Sequence, residues 1–205
     1  MYSAHDYDDA ETWPSGNGQT PVSRVCVAVT HAGGSAAKPD SRAGENARVR
    51  TAEGLLEARQ LLLAVAGNLQ GGSPLIGWAR ELADLHATLF TASVSTTRRP
   101  ADFDAPTTSG RINTVIGLID EWSACHLPRP TSGRRHTHSL GEVISHVADT
   151  YTHVQWTLRH TKSAEHQHHA ALRFAQVQEG YADLVEEIRA LRVALPLGRG
   201  HQPAP

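Results

Sequence analysis

Residues 139–158 read SLGEVISHVADTYTHVQWTL and carry the clearest fold signal in the chain. Ser139 and Glu142 match the Ser-x-x-Glu capping box, which predicts that a helix begins after Ser139, because the hydroxyl and the carboxylate each satisfy an unpaired backbone N–H. The apolar positions behind this cap are spaced 4, 3, 4, 3 and 4, and they are Leu140, Ile144, Val147, Tyr151, Val154 and Leu158. Such spacing predicts a helix that packs lengthwise against others.

A second long apolar stripe follows in a predicted helix from about Ala164 to Leu195, before Pro196. Its members are Phe174, Val177, Tyr181, Leu184, Ile188, Leu191 and Leu195. Two consecutive stripes of this length predict an antiparallel helix pair.

Three shorter helices are predicted upstream from the same periodicity. The first runs from about Thr51 to the glycines at 67, 71 and 72, with an apolar stripe at Leu55, Leu56, Leu62, Val65, Ala66 and Leu69. The second begins at Pro74 after the N-cap candidate Ser73, with a stripe at Leu75, Ala79, Leu82, His86 and Leu89. The third runs from about Gly110 to His126, with Ile112, Val115, Ile116, Ile119 and Trp122 facing inward.

The sequence therefore predicts an all-α fold, an antiparallel helical bundle of four to five helices over residues 46–196. Residues 1–45 mix acidic, Gly, Pro and Ser residues without a sustained period, and we expect a disordered N-terminal arm there. Residues 197–205 are rich in Gly and Pro, which predicts a flexible tail.

Charge and hydropathy exclude several classes of partner. The chain has 19 basic and 21 acidic residues, a formal net charge of −2, so no nucleic acid partner is expected. The longest apolar run, residues 61–67, is far shorter than the about 20 residues of a membrane span. We therefore expect no membrane partner.

The first twenty residues contain acids and no base, which argues against a signal peptide. The two cysteines, Cys26 and Cys125, form no close pair. These features predict a reduced, cytoplasmic setting.

Several short motifs follow one another between residues 73 and 141. SPL at 73–75 precedes ELADLH at 81–86, IDEW at 119–122 precedes LP at 127–128, and HTHSLG follows at 136–141. Over about residues 55–196 they resemble the bacterial family catalogued as domain of unknown function 4254. The residues that match its pattern are His86, Asp120, Trp122, His136, Thr137 and Gly141. His138 stands where the family tends to have Glu, and Ser145 where Asp is common. The resemblance implies a helical fold and supplies no reaction.

Nine of the 13 histidines lie between His126 and His169. On the fourth helix, His146, Asp149 and His153 occupy neighbouring turns on the side opposite the apolar stripe, which permits a metal site of two His and one carboxylate. No matching Glu-x-x-His motif occurs on another helix, so a solvated face is the favoured interpretation. No metal or other cofactor is therefore predicted, and a second cluster at His166, His168 and His169 is expected to bind metal only adventitiously.

Two further groups are candidates for chemistry. Arg134, Arg135, His136 and Thr137 immediately precede the fourth helix, where free N–H groups and the helix dipole favour an anion. The alternative is an exposed loop whose arginines contact water and acids such as Asp120 and Glu121. His86 needs a partner on its core-facing stripe, and we expect a hydrogen bond to Asp120 or to a backbone carbonyl. Catalysis would require His86, Asp120 and His136 to meet at one end of the bundle.

Nucleophile-elbow, phosphate-loop and Rossmann motifs are absent from the sequence. The favoured interpretation is a non-enzymatic binding or protein-interaction module. Trp156, predicted to lie on the outer face of the fourth helix, would mark an interface to a protein partner or to a second copy. The alternative is an enzyme or ligand-binding protein that acts on a small phosphate or carboxylate compound at the bundle end.

Overall fold

The computed structural model describes residues 54–95, 97, 103–130 and 133–196, which belong to one structural unit. In chain order the elements are α1 (Ala58–Val65), α2 (Pro74–Val94), α3 (Ala105–His126), β1 (Arg134–Arg135), α4 (Leu140–His160), α5 (Ala164–Arg189) and β2 (Val193–Ala194). The prediction of an all-α fold is confirmed. The predicted N-terminal arm and C-terminal tail lie outside the described residues. None of the helices in the described ranges is both long and apolar enough to cross a membrane.

Helix α4 begins where the sequence predicts. The Ser139 hydroxyl accepts a hydrogen bond from the Glu142 N–H at 3.2 Å, and the Glu142 carboxylate accepts one from the Ser139 N–H at 2.9 Å. A third cap comes from the neighbouring helix, because Asp120 on α3 accepts the N–H of Gly141 at 2.8 Å. The start of α4 is therefore fixed both locally and by its contact with α3.

Helix α4 packs against α2, α3 and α5 and is buried on two sides. The predicted apolar stripe is buried over most of its length, although Leu158 at its end is 46% exposed. A second buried stripe consists of small residues, namely Gly141, Ser145, Ala148 and Thr152. At 100° per residue the two stripes lie about 100° apart around the helix. We expected α4 to have one buried and one solvated face, and the structure adds the second buried stripe.

The predicted antiparallel pair of α4 and α5 is present. Residues 161–163 connect the two helices, and the rings of Tyr151 and Phe174, at similar distances from this connection in sequence, lie with centroids 5.9 Å apart. Helix α5 ends at Arg189, earlier than predicted. Leu191 adopts a left-handed conformation with a φ of 57°, and the chain then pairs with β1 in a two-stranded parallel sheet. Past the helix end, Val193 is buried and Leu195 of the predicted stripe still packs against the core.

Helix α1 is shorter than predicted, because residues 55 and 56 are buried without being helical. The Tyr181 hydroxyl on α5 donates a 2.8 Å hydrogen bond to the carbonyl of Leu56 and ties this non-helical segment to α5. Leu61 and Ala64, which the predicted stripe omits, are almost fully buried. Gly67 ends the helix as predicted, with a φ of 74° that favours glycine.

Helix α3 begins at Ala105, before the predicted start at Gly110. Asp104 is the reason, since its carboxylate accepts the N–H of Thr107 at 2.9 Å and caps the helix, and Pro106 occupies the first turn. The predicted inward stripe of α3 is buried for Ile112, Val115, Ile119 and Trp122. The hydrophobic core therefore joins the five helices of the described ranges.

Candidate functional site

A cleft of about 580 Å³ opens beside the C-terminal half of α2. Its lining residues are His86, Leu89, Phe90, Ala92 and Ser93 of α2, Phe103 and Ala105 at the start of α3, and Asp149 and His153 of α4. The volume falls in the range of pockets that hold small molecules. The lining combines apolar walls with one carboxylate and two imidazoles, and it contains neither Lys nor Arg among the described residues.

Helix α2 presents His86 to α4, as its position on the apolar stripe predicts. The Nε2 atom of His86 lies 2.9 Å from the Ser145 hydroxyl, and the Nδ1 atom lies 3.4 Å from Oδ1 of Asp149. The expected partners, Asp120 or a backbone carbonyl, were therefore wrong. Ser145 and Asp149 are one turn apart on α4 and hold the ring from both sides, whereas Asp120 is turned toward Gly141.

Burial keeps His86 neutral near neutral pH. Its side chain is 15% exposed, and desolvation lowers its pKa below the usual 6.5. The carboxylate of Asp149 opposes this effect, while His153 and His146 add to it. Because a carboxylate only accepts, we assign the ring proton to Nδ1, which faces Asp149, so the Ser145 hydroxyl donates to Nε2.

This Ser-His-Asp connectivity matches that of a hydrolytic triad, but the serine is poorly placed for attack. Ser145 is buried at 7% exposure and does not line the cleft. A molecule in the cleft would meet the edge of His86 and the Asp149 carboxylate, not the Ser145 hydroxyl. The chemistry of Ser145 is therefore to orient the imidazole.

The outer side of α4 contacts α2 through aromatic rings. Phe90 packs edge-on against His153 at 4.3 Å and against Trp156 at 5.5 Å between ring centroids, and Trp156 stacks on His160 at 3.8 Å. Trp156 is half-buried. The expectation of an exposed indole was wrong, because α2 covers this side of α4.

The predicted metal-site candidates are only partly brought together. Asp149 Oδ1 lies 3.6 Å from the Nε2 atom of His153, but the second imidazole beside it is His86 and not His146. Among residues 54–196, so far as they are described, no three His, Cys, Asp or Glu side chains are placed to hold a metal ion.

Asp120 serves as a buried cap for α4. Its carboxylate is 5% exposed, and Oδ2 has no hydrogen-bond partner in the described part of the chain. Burial raises the pKa of Asp120, while the Gly141 N–H and the Ser139 hydroxyl favour the charged form. A side chain at Gly141 would overlap the Ile116 carbonyl oxygen, so only glycine lets α3 and α4 approach this closely.

The arginine segment before α4 is tied to β2 and α5. Arg134 donates its backbone N–H to Arg192, and its guanidinium lies 3.2 Å from the carboxylate of Glu187. Arg135 is exposed. The alternative to an anion site was an exposed loop whose arginines contact neighbouring acids. Arg134 does contact an acid, although that acid is Glu187 and not Asp120 or Glu121.

Hydrogen bonds within the protein also occupy His136 and Thr137. The backbone N–H of His136 is bonded to Ala194, its Nδ1 atom lies 2.7 Å from the carbonyl oxygen of His138, and the Thr137 hydroxyl lies 2.9 Å from Nδ1 of His138. No hydrogen bond or ion pair links His86, Asp120 and His136 to one another in the described ranges.

The N–H groups expected to bind an anion already have acceptors. Gly141 donates to Asp120, Glu142 donates to Ser139, and the carboxylates of Asp120 and Glu142 both lie at this end of α4. Negative charge there opposes the binding of a second anion. An anion site at residues 134–137 stays a prediction, and it would have to bind its anion without the N–H groups of Gly141 and Glu142.

Comparison of the chain with protein-family models, with curated proteins and with solved structures finds no match. The resemblance to domain of unknown function 4254 therefore stays a prediction, and the geometry of the cleft is the basis for a function. Sequence reasoning singled out His86 and Asp149, but it did not assign Phe90, Phe103 or Ser145 to any site. The sequence signal that could have identified Ser145 is its four-residue spacing from Asp149, which places both side chains on one side of α4, where His86 of the α2 stripe can reach them.

Proposed function

We propose that the protein binds a small, largely apolar molecule in the cleft between α2 and α4 and does not catalyse its conversion. The observation that carries this proposal is the lining, in which Leu89, Phe90 and Phe103 surround one carboxylate and two imidazoles. Sites for small molecules usually combine apolar walls with a few convergent polar groups of this kind.

Binding without catalysis follows from how the polar groups are used. A general base needs a ring nitrogen that can reach a proton of the substrate. Both nitrogens of His86 face α4 side chains, Ser145 and Asp149. Ser145, whose hydroxyl contacts His86, does not line the cleft. His86 is therefore better placed to form part of a binding surface than to transfer a proton.

A protein partner or a second copy on the outer face of α4 has less support. That proposal depended on an exposed Trp156, and Phe90 covers one side of this ring while His160 stacks on it. A cytoplasmic location stays a prediction from the sequence.

The cleft can be tested by filling it. Ala92 lines the cleft, so Ala92→Trp should occupy the space that a ligand needs, while Ala175→Trp adds the same side chain at an exposed residue of α5. A library of small aromatic compounds is screened against the full chain by saturation-transfer NMR, and the affinity of each hit is measured by titration calorimetry. We expect hits that bind the wild type and Ala175→Trp but not Ala92→Trp.

Two results would contradict the proposal. The first is a library in which no compound binds the wild type. The second is a set of hits that bind Ala92→Trp as tightly as the wild type, since these compounds would occupy another surface. Circular dichroism of both variants establishes that each retains its helices.

A further inference from the structure

The carboxylate of Asp149 lies in the cleft, and no Lys or Arg among the described residues forms an ion pair with it. Its side chain is 41% exposed, and its ion-pair contacts are His86 at 3.4 Å and His153 at 3.6 Å. Neither Lys nor Arg contacts it within the described residues. Imidazoles carry little fixed charge at neutral pH, unlike guanidinium or ammonium groups. Among the residues that the structure describes, no fixed cation therefore neutralises the negative charge of Asp149.

The environment of His86 keeps this charge available. Desolvation disfavours the imidazolium form of His86, and the Ser145 hydroxyl already occupies its Nε2 atom. A protonated His86 would form an internal ion pair with Asp149 and compete with a ligand. Because burial opposes that protonation, Asp149 can accept hydrogen bonds from a bound molecule.

Aromatic side chains stand beside the carboxylate. Phe90 and Phe103 both line the cleft, and Phe90 is held by its ring contacts with His153 and Trp156. Aromatic faces attract cations, and they also give an apolar surface to the rest of a ligand. A carboxylate next to such rings is complementary to an organic cation, and it repels phosphates and carboxylates.

We propose that the cleft is selective for molecules with an ammonium group, which Asp149 binds, attached to an apolar body that packs against Leu89, Phe90 and Phe103. This inference rests on the proposed function and names the ligand class of the same cleft. It also reverses the charge of the ligand that the sequence suggested, because the predicted anion site depended on Arg134 and Arg135, which do not line the cleft.

The test uses three probes with one apolar body and different charges: 2-phenylethylamine, 2-phenylethanol and phenylacetate. Their dissociation constants are measured by calorimetry on the full chain at neutral pH. We expect the amine to bind wild type about tenfold tighter than the alcohol, as a charge-assisted hydrogen bond predicts, and phenylacetate to bind weakest.

Asp149→Asn should reduce the affinity for the amine to that for the alcohol. The matched control is Asp183→Asn, which removes an exposed carboxylate from α5 and should keep the preference.

The outcomes separate this inference from the proposed function. If the alcohol binds the wild type as tightly as the amine, the charge selectivity is wrong and the apolar cleft stands. If none of the three probes binds, both proposals lose their support. A preference that survives Asp149→Asn would also overturn the inference. Should this variant fail to fold, higher ionic strength offers a test on the wild type, since added salt should weaken the amine more than the alcohol.

Discussion

The Nε2 atom of His86 lies 2.9 Å from the hydroxyl oxygen of Ser145, and this contact joins α2 to α4 between residues 59 positions apart in the sequence. Ser145 belongs to the buried stripe of small residues on α4. Asp149, one turn later, faces the other nitrogen of the same ring. The position of the imidazole in the cleft therefore depends on two α4 side chains.

The contact between His86 and Ser145 should appear as an energetic coupling. Ser145→Ala, His86→Leu and the double variant form a cycle, and we expect a coupling free energy of about 1 kcal/mol, the usual net contribution of a hydrogen bond. Urea unfolding of the four proteins measures it. Ser145→Ala combined with His169→Leu, an exposed residue of α5, should be additive. A coupling near zero in the first cycle would show that the hydrogen bond does not stabilise the fold.

His86 should make the protein less stable in acid. Its pKa is lowered in the folded state, so the unfolded chain binds the proton more readily, and the free energy of unfolding falls as the pH drops below about 6.5. Asp149, His146 and His153 on α4 are the titratable groups that act on it. His86→Gln cannot titrate. We therefore expect the stability of wild type relative to this variant to fall as the pH drops through about 6.5, the ordinary pKa of histidine.

Urea unfolding at a series of pH values measures this difference. His169→Gln is the matched control, because it removes an imidazole from the surface of α5. Parallel pH curves for the wild type and His86→Gln would contradict the prediction, and so would an equal effect in His169→Gln.

Asp120 should have the opposite pH dependence. Burial raises its pKa above the usual 3.8, so the folded state binds the proton more readily, and its contribution to stability falls as the pH rises past that value. Asp120→Asn keeps an oxygen that can accept the Gly141 N–H but does not titrate. We expect the stability of wild type relative to Asp120→Asn to be greater near pH 3.5 than near pH 6.

Thermal unfolding followed by circular dichroism at both pH values tests the role of Asp120, with Asp183→Asn as the exposed-carboxylate control. A relative stability of wild type that rises with pH would mean that the interactions favouring the charged form outweigh desolvation. Desolvation would then no longer be the largest effect on the pKa of Asp120.

Local signals in the sequence account for much of the fold. Ser73 followed by Pro74 places the start of α2, and the capping box of Ser139 and Glu142 places the start of α4. These signals act within a few residues and are visible in sequence. The start of α1 could not be predicted, because residues 55 and 56 are not helical and the carbonyl of Leu56 is bonded to Tyr181, which follows far later in the chain.

The candidate site was less predictable because it depends on which faces the helices share. Small polar residues such as Ser145 and Thr152 resemble a solvated face in sequence, yet they are buried against neighbouring helices. The predicted orientation of His86 was therefore right, while its partners were not. Phe90 gave no signal of its own, since it lies just outside the apolar stripe of α2.

Gly141 should be essential for the distance between α3 and α4. A methyl group there would overlap the Ile116 carbonyl oxygen, which belongs to the backbone of α3, and would approach Oδ1 of Asp120 to 2.9 Å. We expect Gly141→Ala to lower the free energy of unfolding by about 1–3 kcal/mol, the usual cost of overpacking. Gly180→Ala is the matched control on α5, because no atom lies within 4 Å of its new methyl group. Alanine favours helix over glycine, so this control should gain up to about 1 kcal/mol. Urea unfolding distinguishes the two signs. An increase in stability for both variants would mean that α3 and α4 do not touch at Gly141, and the cap that Asp120 provides would then lack its structural basis.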